Sequence, residues 1–557
     1  MAKKAAAQQP VEPLELDYQL AELPSSQHRA GLAGLVLMVK WLARQGTNKG
    51  ICELTRLDAL GATLKINELG LEALFHEVYA ATREEQARPQ PFKNKNKEIV
   101  PPLREEIRQE TDPKSGKTKE KTVYIYPVVI PKGAFLLELD PSANGNKGDW
   151  VKLWRDMIWN IFRGVPATRK PFEDRAEGKP SDDATKTWSD LTQPLNFTVD
   201  LPSTYYIGAQ ANNAENVPFK DRARFQFLLH FWPFAAQTYV PALINNEGER
   251  DFVGYALAIP DVANLEWFCE ELPQALKHNR GVELSGYRPR DSVVDLAVES
   301  ALDILSLLRA RIATHQGAQA TSNLVLGVDV VHVEKQGNVI KILGTSRLDP
   351  EDRMIDEYTR LRRSLWNPLF RKQRLLNLIN EREWYAGFET IFSRLPYEQS
   401  IGNKNFRRDV RESFKDEIET TNEEANKTMM DAEEPDDIEQ NEPGIAPALT
   451  CEELIYRLVG TYINRKLKNK YQLEWSSVKG DAKKQGEYEA SKEKIARDAF
   501  LAVRSRTGGD FADYFASTLC SVPQHMGEKH FQTIARALHE DTDKVRTLTM
   551  LALSARG

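Results

Sequence analysis

The feature that most constrains this chain is an acidic stretch late in the sequence. Between residues 416 and 444, twelve acidic residues stand against a single base, Lys427, and large apolar side chains are nearly absent. A segment of that composition cannot bury enough apolar surface to offset the entropy of ordering it, so it reads as disordered or extended. It also divides the charge. The 415 residues before it carry a net +1, the stretch itself −11, and residues 445–557, with eighteen bases and fourteen acids, +4. The overall −6 therefore conceals folded parts that are neutral to basic and compatible with a polyanionic partner. The expected organisation is a mobile segment over 1–22, a body over 23–415, a flexible acidic linker over 416–446 and a helical bundle over 447–557.

At 557 residues, the chain has room for about three domains. Four cysteines, Cys52, Cys269, Cys451 and Cys520, lie far apart with no CxxC spacing, which fits a reducing cytoplasm rather than a disulfide framework or thiolate metal site. The N-terminal residues hold no apolar signal-like core, and the run Leu32 to Leu42 is too short to span a membrane.

The expected fold class is α+β: a large mixed α/β N-terminal body followed by an all-α C-terminal bundle. Helices are expected at 28–45, with Gly31 and Gly34 for close packing, at 66–83, at Asp149 to Arg163 and from Asp291 to His315. Residues 84–121 read as an exposed loop or ribbon, Thr122 to Ile130 as a strand that 133–139 could continue, and 164–190 as a polar loop. Asp251 to Val262 reads as a strand, and Asn323 to Val333 with Val339 to Thr345 as a hairpin around Gln336-Gly337-Asn338. Helices at 351–366, 368–383 and 384–394 follow, broken at Pro368 and ended by Pro396. The bundle reads as helices at 449–472, 488–505, 508–520, 526–539 and 540–555.

Motifs for catalysis are missing. There is no HExxH, no phosphate-cradling GxxxxGK[ST], no GxGxxG after a strand and no GxSxG. His525 and His530 lie five apart, off a common helix face, and Asp510 with Asp513 suits a helix N-terminus. No cofactor and no metal site are expected. A dispersed carboxylate site in a nucleic-acid-processing enzyme stays open as an alternative, as does a protein-only helical scaffold.

Basic clusters are more frequent. Lys93, Lys95 and Lys97 alternate with Asn94 and Asn96; Lys117 and Lys119 follow in a second turn-rich segment. Arg360, Arg363, Arg371 and Arg374 surround Pro368, Arg465 and Lys466 lie on the first bundle helix, and Arg504 and Arg506 precede Gly508-Gly509. Each cluster alone suits a solvated face; together they suggest contacts to a phosphate backbone, which position a nucleic acid without reading it. The segment 202–216 is different, dense in small residues and carboxamides. Gln210, Asn212 and Asn213 offer donors and acceptors to base edges. The competing reading is an Asn-rich turn that satisfies its own backbone.

The run Leu23-Pro24-Ser25-Ser26-Gln27-His28-Arg29-Ala30-Gly31-Leu32-Ala33-Gly34-Leu35, and the later Gly208-Ala209-Gln210-Ala211 with Asn213-Ala214-Glu215-Asn216-Val217-Pro218, carry a family resemblance. The chain resembles large subunits of type I CRISPR Cascade surveillance complexes, of the type I-B-related Myxan branch. The resemblance implies a non-catalytic subunit that samples duplex DNA for the short target-flanking motif, sits beside the subunit holding the guide RNA handle, and stabilises the R-loop and its displaced strand. Guide pairing reads the sequence in such systems. It implies guide RNA, target DNA and the handle-binding, backbone and small Cascade subunits as partners. Relatives also occur in Tn7-like transposons, where transposition-targeting proteins take part, and the sequence does not decide between the two settings. On this resemblance Gln210, Asn212 and Asn213 become candidates for the flanking motif, and Lys93, Lys95 and Lys97 for duplex phosphates.

In several related systems the C-terminal bundle is also made alone, by internal translation initiation. Met429-Met430 lies in the acidic stretch, downstream of Glu423-Glu424, whose codons can be purine-rich, and a product from Met429 would have 129 residues. The simpler alternative is that the two methionines carry no such signal.

Overall fold

The computed structural model describes residues 12–46, 50–94, 96–111, 118–140, 148–158, 169–201, 207, 219–244, 250–277, 283–285, 288–315, 320–336, 339–395, 397, 402–431, 449–521 and 528–557. The chain divides into two compact units, Met1–Leu243 with Phe252–Ile355, and Ile244–Asp251 with Asp356–Gly557. The first carries the sheets and the second is helical, so the class is α+β as expected.

The first unit is organised around the helix Ser26–Gln45. Its residues from Ala30 to Val39 are buried on every side, as its sequence of Ala, Leu, Val, Met and Gly requires. It lies against the strand Tyr255–Val262 and the turn Trp232–Phe234. Gly31 and Gly34 permit that approach. A Cβ at Gly31 would fall 2.5 Å from the Leu228 carbonyl oxygen, and one at Gly34 only 2.0 Å from that of Phe231.

Two largely antiparallel sheets flank this core. In one, the order is Leu14–Gln19, Gly61–Ile66, Cys52–Leu57. In the other, Gln237–Ile244, Tyr255–Val262, Val325–Gln336 and Val339–Leu348 follow in that order, the last two forming the expected hairpin. A third sheet is a ribbon in which Thr118–Pro131 pairs on one side with Ala81–Arg88 and on the other with Arg104–Thr111.

Several expectations need correction here. The helix expected at 66–83 stops at Val78, because Ala81 already enters the ribbon. Residues 133–139 do not continue the strand; Leu136–Leu139 is one helical turn. The supposed loop 164–190 holds two helices, Arg169–Ala176 and Asp182–Leu191. Their polarity hides narrow apolar stripes: Phe172 is buried edge-on to Tyr79 at 5.2 Å, and Trp188 and Leu191 are buried behind a Ser181 N-cap that accepts the Ala184 N–H. The strand expected from Asp251 to Val262 is split in two, Arg250–Phe252 and Tyr255–Val262, by Gly254 at φ 61°. The helix expected from Asp291 begins at Glu299, because Val293–Val294 pairs in parallel with Val240–Pro241 and the Glu299 carboxylate accepts the N–H of Asp295 at 2.6 Å.

The second unit contains Pro368–Ile379, Phe388–Arg394, Lys404–Asp431, Cys451–Lys466, Ala482–Arg504, Gly508–Tyr514, Glu528–Glu540 and Thr542–Arg556. Thr542–Arg556 is its hub. The helix is almost wholly buried from Thr547 to Ala555 and touches each of the last five other helices just named. Rings tie the earlier helices to the later ones. Phe370, Phe388, Phe406 and Phe392 form a chain that ends on Phe500, with 5.4 Å between the last two centroids. Phe414 stacks on Tyr456 at 4.7 Å.

This packing corrects the expected boundaries. The compact helical unit starts at 356, not 447, and the acidic linker does not start at 416, because the helix Lys404–Asp431 runs through it. Phe406, Val410 and Phe414 anchor that helix, and once nucleated it extends cheaply through glutamates, which are good helix formers. The rest of the expected linker lies outside the described residues.

Candidate nucleic-acid interface

The Ser25–Arg29 run proves to be a polar junction at the start of the first helix. Ser25 is the N-cap residue, but its hydroxyl is hydrogen-bonded to His28 Nδ1 at 2.7 Å rather than to the backbone. His28 Nε2 lies 2.9 Å from Asp221. Ser26 donates to Asp329, Gln27 accepts the Ile207 N–H at 3.3 Å, and Arg29 pairs with Asp261 at 2.6 Å. Arg347 joins Asp261 and Asp329 at 3.0 and 3.3 Å. One helical turn thus holds two strands of the large sheet, the short strand Lys220–Arg222 and Ile207. Gln210, Asn212 and Asn213, the flanking-motif candidates, lie outside the described residues.

At the ribbon, Lys93 and Lys97 are exposed on a tight loop, where Lys93 bridges Ile99 and Lys97 adopts φ 66°. The Asn94 side-chain carbonyl accepts the N–H of Asn96 and of Glu98, at 3.0 and 2.9 Å. This asparagine therefore shapes the loop that presents the two lysines. Lys95 and Lys117 lie outside the described residues. Lys119 sits in the strand Thr118–Pro131 opposite Glu110. Elsewhere on the ribbon Arg104 and Arg108 are neutralised: Arg104 forks onto Glu85 at 2.8 and 2.6 Å and reaches Glu106 at 2.9 Å, and Arg108 reaches Glu106 at 2.8 Å. Hydrogen bonds from Arg104 hold Glu85 below the usual carboxylate range, and those from Arg108 and Arg104 do the same for Glu106.

The Pro368 cluster separates into two kinds of side chain. Arg360 and Arg363 are exposed, and Arg371 is half-buried. Arg374 is only 7 % exposed, faces Glu357 at 3.5 Å and lies over Trp384 at 5.6 Å. Burial pulls its pKa down against the pull of Glu357, Glu417 and Asp416. Its assignment as a phosphate contact is corrected: it is an interior group. Asp409 is fully buried and accepts the N–H of Trp366 and Asn367, just before Pro368, at 2.8 and 2.5 Å. Burial pushes its pKa up to about 6 despite those bonds.

In the C-terminal helices, Arg465 and Lys466 are exposed. Arg504 instead donates to the Ser393 carbonyl at 3.0 Å. Arg506 donates to the Ala502 carbonyl at 2.6 Å and covers Tyr514 at 4.6 Å. Both arginines already serve internal contacts, so they are weaker phosphate candidates than sequence suggests.

Sequence reasoning missed two exposed tryptophans, Trp366 at 61 % and Trp475 at 50 %. Among the described residues, no helix is long and apolar enough to cross a membrane.

Two family models match the chain: the type I-B CRISPR Cas8b N-terminal domain over residues 51–318 and the type I-B CRISPR Cas8b C-terminal domain over residues 325–556. No curated protein matches it.

Proposed function

Because the chain belongs to the Cas8b family of type I-B CRISPR proteins, and is thus a Cascade large subunit, we propose that it works without catalysis of its own: it recognises the target-flanking motif, contacts the guide RNA handle region and stabilises the R-loop. The family match over both domains carries this reading. Exposed cations support it. Lys93, Lys97, Arg360, Arg363, Arg465 and Lys466 offer positive charge at the surface of their units, which suits backbone contacts that orient a duplex while guide pairing reads the sequence.

Gln210, Asn212 and Asn213 are the proposed readers of the flanking motif. The test is binding of the assembled complex to targets with matched or altered flanks. Gln210→Ala with Asn213→Ala is expected to flatten the flank preference, at roughly 1–3 kcal/mol of discrimination. An unchanged preference removes those residues from the role.

The internal start at Met429 or Met430 remains part of the proposal in a modified form. Both methionines lie in the last turns of the helix Lys404–Asp431. A product starting there keeps the helices from Cys451 onward but lacks Phe392, Phe406 and Phe414, and therefore bares Tyr456 and Phe500. Expression of a C-terminally tagged gene, wild type and with both methionines changed to leucine, decides the matter. A short band that persists in the variant, or is never seen in wild type, ends the idea.

A further inference from the structure

A groove in the C-terminal helices shares only Arg465 with the candidate contacts described so far. The helix Cys451–Lys466 widens into the turn Leu467–Tyr471 and stops at Gln472, whose φ of 55° turns the chain back. The short helix Trp475–Val478 then begins, and Tyr488 rises from Ala482–Arg504. Between them lies an open groove of about 650 Å³ lined by Asn464, Arg465, Lys468, Asn469, Trp475 and Tyr488. That size falls within the roughly 300–1,000 Å³ range of ligand sites.

The chemistry of the lining is specific. Trp475 is half exposed, yet its ring is braced against Tyr488, with centroids 5.4 Å apart and planes tilted by 59°. Tyr488 itself is buried. An indole fixed on one side and open on the other is a stacking surface. Arg465 is exposed and forms no ion pair among the described residues. Lys468 is held 2.6 Å from Glu474. Asn464 and Asn469 supply carboxamides that can both donate and accept.

We propose that this groove receives an unpaired base of a DNA single strand: the base stacks on Trp475, an adjoining phosphate meets Arg465, and the two asparagines face the base edge. The proposal rests on the reading of the chain as a subunit that handles the R-loop, and goes beyond it by naming the pocket and the feature it selects. A base inside a duplex is already stacked on both faces and cannot offer one to the indole. The groove therefore discriminates strand state rather than sequence.

The test uses the full chain with a labelled twenty-nucleotide oligodeoxythymidylate and a twenty-base-pair duplex. Trp475→Ala is expected to weaken single-strand binding about ten-fold while leaving duplex binding within about two-fold; Trp475→Phe retains most of the affinity. Arg465→Gln is expected to lower the salt slope on the single strand by about 0.7. Equal single-strand affinity for wild type and Trp475→Ala, or an equal loss on the duplex, overturns the proposal and leaves the broader reading standing. A wild-type chain that retains neither oligonucleotide overturns both. A measurement without any variant guards against misfolding: irradiation of the wild-type complex with a strand carrying 5-iododeoxyuridine is expected to give an adduct on the peptide containing Trp475. Adducts confined to other peptides overturn the proposal.

Discussion

The guanidinium of Arg408 lies 3.9 Å from the centre of the Trp366 ring, while the same side chain donates to the Ser364 carbonyl at 2.9 Å. The pair closes the corner where the chain turns at Asn367-Pro368, and it does so at the surface. Arg408→Ala removes this contact, worth about 0.5–1 kcal/mol, together with the 3.2 Å ion pair to buried Asp409, so its cost is expected to exceed that of the stacking alone. Amide exchange of the helix Pro368–Ile379 reads that cost; unchanged protection would mean that the stacking contributes nothing.

Beneath that corner, the Asp409 carboxyl has a pKa raised to about 6 by burial. Between pH ~4 and ~6 the folded chain keeps a proton that the unfolded chain releases, so this group makes stability fall as pH rises through that window. Asp409→Asn keeps an acceptor for the Trp366 and Asn367 N–H groups and removes the titration. Its denaturation midpoint is expected to decline less between pH 4 and 6 than that of wild type. Parallel profiles would refute the assignment.

Phe414 is buried, stacked on Tyr456 and edge-on to Trp384 at 5.0 Å. Phe414→Ala is expected to destabilise the helical unit by about 3–5 kcal/mol. Because the ring joins helices on both sides of the acidic stretch, amides in Cys451–Lys466 and in Pro368–Ile379 should lose protection together. Loss in one helix alone would indicate two separate subdomains.

Gly34→Ala sets a methyl group against the Phe231 carbonyl oxygen, a backbone atom that cannot swing aside. The expected cost is about 1–3 kcal/mol or more, seen as a lower thermal midpoint of the sheet-bearing unit. A neutral result would show that Ser26–Gln45 shifts freely along its neighbours.

Arg374 and the ribbon lysines should respond in opposite ways. Arg374→Met removes one partner of an interior pair and is expected to lower stability without altering the salt dependence of DNA binding. Lys93→Ala with Lys97→Ala should leave stability nearly unchanged and reduce the salt slope by up to about 1.8. A slope unmoved by the lysine pair would exclude them from the duplex path.

The parts of this fold legible in the sequence are those in which local pattern and burial agree. The paired strands Val325–Gln336 and Val339–Leu348 alternate on either side of the Gly-Asn dipeptide in the sequence, and Ser26–Gln45 has a serine before it and glycines where backbone must approach backbone. Arg169–Ala176 and Asp182–Leu191 escaped because two buried rings, Phe172 and Trp188, decide them within a polar sequence. Asp416 to Asp431 escaped for the opposite reason: its order is inherited from Phe406, Val410 and Phe414 upstream. Of the candidate site, the lysine loop was visible as alternation. The difference between Arg363 and Arg374 was not, because both are arginines near a proline and only tertiary packing separates them. Trp475 was hidden by the general habit of tryptophan to be interior.

The junction at Ser25–Arg29 also has a consequence in time. Ser26 meets Asp329 across 303 residues of chain, and Arg29 meets Asp261 across 232. At a synthesis rate of about 5–20 residues per second, the first helix emerges some 15 to 60 seconds before its last hydrogen-bond partner exists. Until Trp232–Phe234 and Tyr255–Val262 are made, its apolar surface from Ala30 to Val39 has no permanent cover. During synthesis the helix Ser26–Gln45 is therefore open to capture by chaperones or by other nascent chains until those downstream segments follow.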